Sequence, residues 1–470
     1  MLTLSVARIA EVVGGELVSG SGDTMINGVS VDSRAIPAGC AFVAFVGEHV
    51  DGHSFAAEAL RAGARALIVT RWDERVAAAL EQSRRRDAAV VRVGDAASAL
   101  SALARYHRSR LSCPVVGITG STGKTTTKDF LAAALATRLR VTATEGNRNN
   151  ELGVPLTILA AGTETDVLIV EMGMRGSGQI HALCEIARPT HGLVTNIGQT
   201  HMELLGSQEA IAHAKGELVR CIPEDGRVFL NGDDVWSREL AEESAAPVTY
   251  YGSKKGNHVR FDEVVVDADG RPTMVIKAGR KHHAVTLPVP GRHNAYNAAA
   301  AAAVALSLGL TLSEAMEGLA SASLTEWRMQ VFTVASGVTV VNDAYNASPT
   351  SMRAAVAALR DMRPEGRRVA VLGDMAELGS LAELAHFRLG EDVARSSIDV
   401  LVTVGELARR IGDGARAVGM PEDVVRSCAS AVEASEVLDD LLEPGDVVLV
   451  KASRSMGLER VVEGIVQPRA

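Results

Sequence analysis

The chain has 470 residues, which at roughly 100–200 residues per domain corresponds to about three domains. A hydrophobic content of 47% with 22% charged residues describes a packed globular protein and sets aside disorder. A formal net charge of -9 with 3% aromatic residues sets aside a general nucleic-acid binder, which would be basic and carry rings for base stacking. Local basic groups and backbone N–H donors can still hold a small anionic substrate against that field. Cys40, Cys113, Cys184, Cys221 and Cys428 are odd in number and scattered without a C-x-x-C pair. They argue against a disulfide framework or a structural zinc site, and all five are expected as reduced core thiols.

Residues 1–15 are amphipathic, with Arg8 and Glu11 inside the pattern, unlike a signal peptide. Residues 41–46 and 66–69 read as strands, with a helix over 54–61 between them. A second segment opens at Pro114. Residues 115–119 form an apolar run that ends in a Gly-rich turn, followed by a helix over about 124–135. Residues 166–170 and 192–195 are further buried strands, and this alternation with helices indicates a parallel α/β sheet. Two β-rich runs within 258–290 flank Asp269-Gly270, a hairpin signal, and read as an antiparallel excursion in the same domain. An Ala-rich helix over about 294–308 closes the segment, and its apolar run is too short to span a bilayer. From about Ser323, strands at 338–341, 368–372, 400–404 and 447–450 alternate with helices in a second doubly wound pattern. Asp343, Asp374, Glu406 and Lys451 fall at or just past the C-terminal ends of those strands, the edge at which open α/β sheets bind ligands. The expected compartment is the cytoplasm, without membrane insertion.

Thr119-Gly120-Ser121-Thr122-Gly123-Lys124-Thr125-Thr126-Thr127 is the strongest local motif. Its glycines let backbone N–H groups approach phosphate oxygens, Lys124 adds a positive charge, and the Thr125 hydroxyl can reach Mg²⁺. The helix that follows points its N-terminus at the anion. Ile118 stands where a generic P-loop has its first glycine. Glu171 follows directly on a strand, where a carboxylate could face the γ-phosphate; by itself a carboxylate there is more often a cap or a solvated charge. His201 lies in Thr195-Asn196-Ile197-Gly198-Gln199-Thr200-His201-Met202-Glu203, and Lys215 in Ala214-Lys215-Gly216-Glu217-Leu218 on a helix that Ser207 could cap. Taken singly, His201 reads as structural and Lys215 as a surface lysine. Asn294 and Asn297, spaced i, i+3 on one helix face, can donate to and accept from an adenine edge, although capping would equally account for Asn294.

The order of these motifs carries a resemblance. The short T-G-S-x-G-K-T-T loop resembles that of the Mur ligases and folylpolyglutamate synthases. T-N-I-G-x-x-H-x-E followed by A-K-G-E-L resembles the central domain of the Mur ligases. The resemblance implies an ATP-dependent amide ligase that works through an acyl phosphate, with Glu171 and His201 on Mg²⁺ and a carbamylated Lys215 supporting a second Mg²⁺. It also implies Gly120, Ser121, Thr122, Gly123, Lys124, Thr125 and Thr126 around the ATP phosphates, Asn294 and Asn297 around adenine, Arg328 on phosphate and Asp343 on ribose. Asp32-Ser33-Arg34 and the segment from Gly47 through His49 to His53 resemble the UDP-binding domain shared by the tripeptide-forming and pentapeptide-forming members, so Ser33 and Arg34 are candidate substrate contacts. The segments 147–155, with Asn149 and Asn150, and 371–379 resemble the pentapeptide-forming branch, and the D-N-P-R motif of many tripeptide-forming ligases is absent. Lys451-Ala452-Ser453-Arg454 resembles a late K-G-S-R element, with Ala for Gly.

The expectation is therefore an α/β chain of three domains: a small mixed α/β UDP-muramoyl-binding domain over 1–111, a central P-loop parallel-sheet domain over 112–322, and a Rossmann-like ligase domain over 323–470. It would act as a monomer, joining D-alanyl-D-alanine to UDP-N-acetylmuramoyl tripeptide with ATP and two Mg²⁺ ions. Two other classes remain compatible with parts of the pattern. A folylpolyglutamate-type ligase would have its phosphate loop near the chain start, and here a D-S-R domain precedes it. A non-catalytic binder on the same fold would not need Lys124, Glu171, His201 and Lys215 together.

Overall fold

The structure, a computed structural model, describes residues 1–48, 50–83 and 88–467. Three larger sheets organise the described residues. The first has five strands in the order Glu16–Ser19, Ala89–Arg92, Ala66–Val69, Ala41–Val43 and Val29–Ser30, parallel except for the first pair. The strand expected over 41–46 stops at Val43. Beyond it the chain folds back: Gly52 N–H donates to the Phe45 carbonyl at 2.7 Å, and Val46 bridges Asp51. Helix Ala96–Arg108 packs against Gly153–Ala160 and Gln179–Ala187 of the next sheet layer. One apolar cluster runs from Leu2 and Ile26 through Leu100 and Leu103 to Val154, Leu168 and Val170. The first sheet and the second therefore share a core.

The central sheet has nine strands in the order Lys281–Thr286, Pro272–Ala278, Val259–Val266, Val248–Gly252, Arg227–Asn231, His191–Val194, Val115–Thr119, Val167–Glu171 and Val141–Ala143. The first three pair antiparallel and the rest parallel. Every residue of Val115–Thr119 and Val167–Glu171 is buried, as continuous apolar runs covered on both faces require. The hairpin at Asp269-Gly270 is present. A third antiparallel strand, Lys281–Thr286, escaped the sequence reading because it is almost wholly exposed and polar and shows no apolar alternation. The Ala-rich helix Asn294–Ser307 packs on the phosphate-loop helix Lys124–Ala136, its alanines allowing close approach.

The C-terminal sheet has the order Gln330–Thr333, Thr339–Asn342, Val447–Lys451, Arg368–Gly373, Val400–Val404 and Val425–Cys428, antiparallel only at the first pair. Both edge strands, Gln330–Thr333 and Val425–Cys428, are additions to the expected four, and each is short and half exposed. Its two apolar clusters contain no residue before Met329. Four cysteines are buried as expected. Cys221 is the exception: it is half-buried, with its sulfur 3.4 Å from His181 Nδ1, and hydrogen bonds from Cys184 and then His181 pull its thiol pKa down. Among the described residues no helix is long and apolar enough to cross a membrane.

Candidate active site

The C-terminal ends of the central strands open into a cleft of about 1300 Å³, also lined by residues of the C-terminal sheet layer. The phosphate loop contributes Ser121, Thr122 and Gly123 to its lining. Gly120 has φ 146°, and a Cβ there would sit 1.9 Å from Thr195 Oγ1; Gly123 has φ 77°, and its Cβ would sit 2.4 Å from Asn297 Oδ1. Both positions need glycine for backbone conformation and for space. The segment 195–198 holds the loop from behind. Ser121 N–H donates to the Asn196 carbonyl at 2.9 Å, Thr122 N–H to Asn196 Oδ1 at 3.1 Å, and Thr195 Oγ1 to the Thr122 carbonyl at 2.6 Å. Thr195 and Asn196 are thus scaffold residues that the motif reading did not separate from the His201 end of the same segment.

Lys124 donates to the Gly120 carbonyl at 2.8 Å, and burial lowers its ammonium pKa. The Arg328 guanidinium adds repulsion to Lys124, which places a second cation near the loop. Arg328 lies over the Tyr345 ring at 4.1 Å. Glu171 is fully buried; its Oε1 accepts from Asn149 Nδ2 at 2.7 Å. Glu171 Oε2 and Thr125 Oγ1 are buried without a hydrogen-bond partner among the described residues. Unpaired oxygens in such a place are costly unless something binds them. They are hard donors, and together they fit Mg²⁺. Among the described residues no three His, Cys, Asp or Glu side chains cluster as a metal site.

Lys215 corrects the surface reading of that residue: it is 2% exposed and lines the cleft. Burial first, and then the nearby Lys124 charge, push its ammonium pKa well below the usual lysine value. Ser207 caps its helix as expected, accepting from Ala210 N–H at 3.1 Å. His201 also lines the cleft, with Nδ1 2.5 Å from Glu377 Oε2, and burial lowers its pKa.

Asn294 does not cap its helix. Its Nδ2 donates to the Pro290 carbonyl at 2.8 Å, its Oδ1 accepts from Asn297 Nδ2 at 2.9 Å, and Asn297 Oδ1 accepts from Thr127 Oγ1 at 3.2 Å. The pair therefore ties the Ala-rich helix to the loop helix at the cleft wall. Asp343 is held by Lys451 Nζ at 2.6 Å and by Met329 N–H at 3.2 Å. Of the four polar residues expected at the C-terminal sheet edge, Asp343 and Lys451 line the cleft, whereas Asp374 caps the backbone at Ala408 (2.7 Å). Thr126 lines the cleft.

Asn150 lines the cleft too, but its Oδ1 accepts from Gly153 N–H at 3.0 Å at the start of the next helix. Ser33 and Arg34 are not among the lining residues. Asp32 Oδ1 accepts from Arg34 N–H at 3.0 Å, an Asx turn, and the guanidinium pairs with Oδ2 at 2.8 Å. His53 is buried: its Nδ1 meets Asp51 Oδ1 at 2.7 Å and its Nε2 accepts from Thr70 N–H at 3.1 Å, so it tethers its loop. His49 lies outside the described residues.

A P-loop sheet with unpaired hard oxygens beside Lys124, closed over by a second doubly wound sheet, defines a nucleotide-dependent ligase architecture, and the chain belongs to the Mur ligase family. Family models match at residues 25–108 (Mur ligase family, catalytic domain), 118–305 (Mur ligase middle domain) and 327–454 (Mur ligase, glutamate ligase domain). Within the family, the chain is 36% identical to the UDP-N-acetylmuramoyl-tripeptide–D-alanyl-D-alanine ligase of Bacillus subtilis (strain 168), over 99% of each chain. Among solved structures it is similar to MurF from Acinetobacter baumannii (TM-score 0.85, 29% identity, 99% of each chain). It is also similar to the MurF ligase of Thermotoga maritima in complex with ADP (TM-score 0.76, 30% identity, 93% of this chain and 96% of that one).

Proposed function

We propose that this chain ligates D-alanyl-D-alanine to UDP-N-acetylmuramoyl tripeptide, giving UDP-N-acetylmuramoyl pentapeptide, ADP and phosphate in the cytoplasm. The observation that carries the reading is end-to-end similarity to relatives of that name. Lys124, Glu171, His201 and Lys215 on one cleft support it. The work divides over domains at 1–111, 112–322 and 323–470: the first holds the UDP-muramoyl end through the Ser33-Arg34 turn, the second ATP, and the third brings the dipeptide.

The tripeptide carboxylate attacks the γ-phosphate, giving an acyl phosphate and ADP. The dipeptide amine then adds to the acyl carbon, and the tetrahedral intermediate expels phosphate. Lys124 and Arg328 supply fixed positive charge where phosphoryl charge develops. Asn149 holds Glu171 so that Oε2 faces the cleft. Mg²⁺ on Thr125, Glu171 and His201, with a second ion supported by Lys215 as carbamate, would act as a Lewis acid on the phosphoryl oxygens. A buried, neutral Lys215 amine is the form that attacks CO₂, and the Lys124 charge that disfavours its ammonium favours the resulting anion. Asn294 and Asn297 are assigned to adenine by the family resemblance, and Asp343, steadied by Lys451 at 2.6 Å, to ribose.

The test is ADP release coupled to a reporter, with UDP-muramoyl tripeptides and a panel of amine acceptors plus a pterin–glutamate arm. Turnover should require both the tripeptide and D-alanyl-D-alanine. Turnover with a pterin substrate, or none dependent on the dipeptide, overturns the assignment. Mass spectrometry in ¹³C-bicarbonate, alongside a Lys215→Ala variant, tests the carbamate: a free amine together with a fully active variant removes it.

A further inference from the structure

The two domains that close on the cleft meet at a pair of residues in an unusual backbone state. His201, at the entrance to helix Met202–Leu205, has φ 56°, and Glu377, in the loop after strand Arg368–Gly373, has φ 60°. Neither is glycine, and left-handed backbone at such residues concentrates at functional sites. Their side chains meet at 2.5 Å between His201 Nδ1 and Glu377 Oε2. The two loops also meet through backbone, Glu203 N–H donating to the Glu377 carbonyl at 3.3 Å.

The Glu377 loop belongs rigidly to the C-terminal domain. Met375 N–H donates to His386 Nε2 at 2.9 Å, Ala376 N–H to Ser453 Oγ at 2.8 Å, and Ser453 N–H to the Asp374 carbonyl at 3.0 Å. The His201 loop belongs equally to the central domain, where Ile197 N–H donates to Asp234 Oδ2 at 2.8 Å and Gln208 Nε2 to the Ile197 carbonyl at 2.7 Å. Neither loop can follow the other if the domains part.

A carboxylate at Nδ1 fixes the ring: Nδ1 carries the proton, and Nε2 keeps the lone pair. With Nδ1 turned to Glu377, Nε2 is the nitrogen left to a ligand in the cleft. A carboxylate on the other ring nitrogen is a usual way to fix the tautomer and orientation of a ligating histidine. Here the carboxylate comes from the other domain.

We propose that Glu377 is a positioning residue that makes the orientation of His201 conditional on closure of the C-terminal domain, so that cation binding at the nucleotide and domain closure favour each other. The inference rests on the reading of His201 as facing the nucleotide-bound cation. Open, the ring is free to rotate and to exchange tautomers; closed, it presents Nε2. By reciprocity, whatever the cation gains from closure, closure gains from the cation. An enzyme wired this way assembles its phosphoryl-transfer site only after the dipeptide-bearing domain has swung in.

The experiment uses the full chain with a non-hydrolysable ATP analogue. It measures the Mg²⁺ concentration for half-maximal closure by small-angle scattering and the analogue's Mg²⁺-dependent affinity by calorimetry. Glu377→Ala should raise the half-closing Mg²⁺ concentration by about 10–100-fold, the range for losing such a partner. It should leave analogue affinity without Mg²⁺ unchanged, and Glu377→Gln, which can still accept from Nδ1–H, should fall between. In a His201→Ala background Glu377→Ala should cost only the small share carried by its exposed ion pair with Arg175 at 3.7 Å, less than about threefold. The proposal is overturned if Glu377→Ala keeps the parent's Mg²⁺ dependence, or if it costs as much without His201 as with it. If His201→Ala itself leaves the Mg²⁺ dependence intact, it is the underlying reading of His201 that has failed. Melting curves of Glu377→Gln guard against a folding defect, and ¹⁵N-imidazole spectra should show the Nδ1–H tautomer of His201 appearing with closure.

Discussion

Replacing Gly123 with alanine tests the phosphate loop at its tightest point. A left-handed alanine costs about 1–2 kcal/mol. The added methyl would also sit 2.4 Å from Asn297 Oδ1, and Gly123 is the residue directly before helix Lys124–Ala136. Asn297 must then withdraw and lose its bonds to Thr127 (3.2 Å) and Asn294 (2.9 Å). At about 1 kcal/mol each, these raise the total to about 3–4 kcal/mol. The cost falls on the loop conformation that receives phosphate, so calorimetry should find nucleotide affinity down by about 10²–10³-fold. In an Asn297→Ala background the collision and both bonds are already gone, and Gly123→Ala should cost only the left-handed term, about tenfold. A Gly123→Ala variant that binds nucleotide within about twofold of the parent, or whose penalty is the same with and without Asn297, refutes this account of the loop.

Asn149→Ala removes the amide that holds Glu171 Oε1 at 2.7 Å, and should weaken the Mg²⁺ dependence of nucleotide binding by about 10–100-fold while leaving metal-free affinity unchanged, as read by titration calorimetry. Glu217 accepts from Gly178 N–H (2.5 Å), His181 N–H (2.9 Å) and Ser177 Oγ (3.1 Å) at the start of helix Gln179–Ala187. Glu217→Ala strands those donors and should destabilise the protein by about 3 kcal/mol in chemical denaturation, with Glu217→Gln milder. Burial holds His386 below the usual histidine pKa, with Nε2 accepting from Met375 N–H and Nδ1 donating to the Ala382 carbonyl at 2.6 Å. Its folded pKa lies below the unfolded value, so its contribution is complete above about pH 6.5 and is lost as pH falls below that toward the folded value, at up to about 1.4 kcal/mol per pH unit. Urea midpoints across that range should fall more steeply for the parent than for His386→Gln, and equal slopes would rule the assignment out.

The strand–loop–helix order around Gly120–Thr127 was legible because apolar runs and glycines are local signals. Lys215 was not, since nothing in the periodicity of Gln208–Arg220 separates a buried lysine from a surface one, and only the family resemblance singled it out. Asn149 and Asn150 could be found as a motif, but their roles could not. One steadies Glu171 and the other starts a helix, and both depend on partners brought up by folding. Glu377 stood in a quoted segment without being singled out, because a left-handed backbone and a partner in another domain leave no trace in spacing. Strand Lys281–Thr286 was missed for the opposite reason: it pairs mainly through its backbone, and of its side chains only Val285 is buried while the rest are exposed.

The apolar cluster that passes from Leu2 and Leu103 into Val154 and Leu168 has a thermal consequence. The first two sheets share one core and should lose structure together, as a single cooperative unit. The C-terminal sheet layer, whose own clusters begin at Met329, is joined to them across polar clasps such as Arg292–Asp361 at 2.8 Å. Heat absorption should therefore come in two steps, and nucleotide, by binding across the clasps, should draw the two together into one.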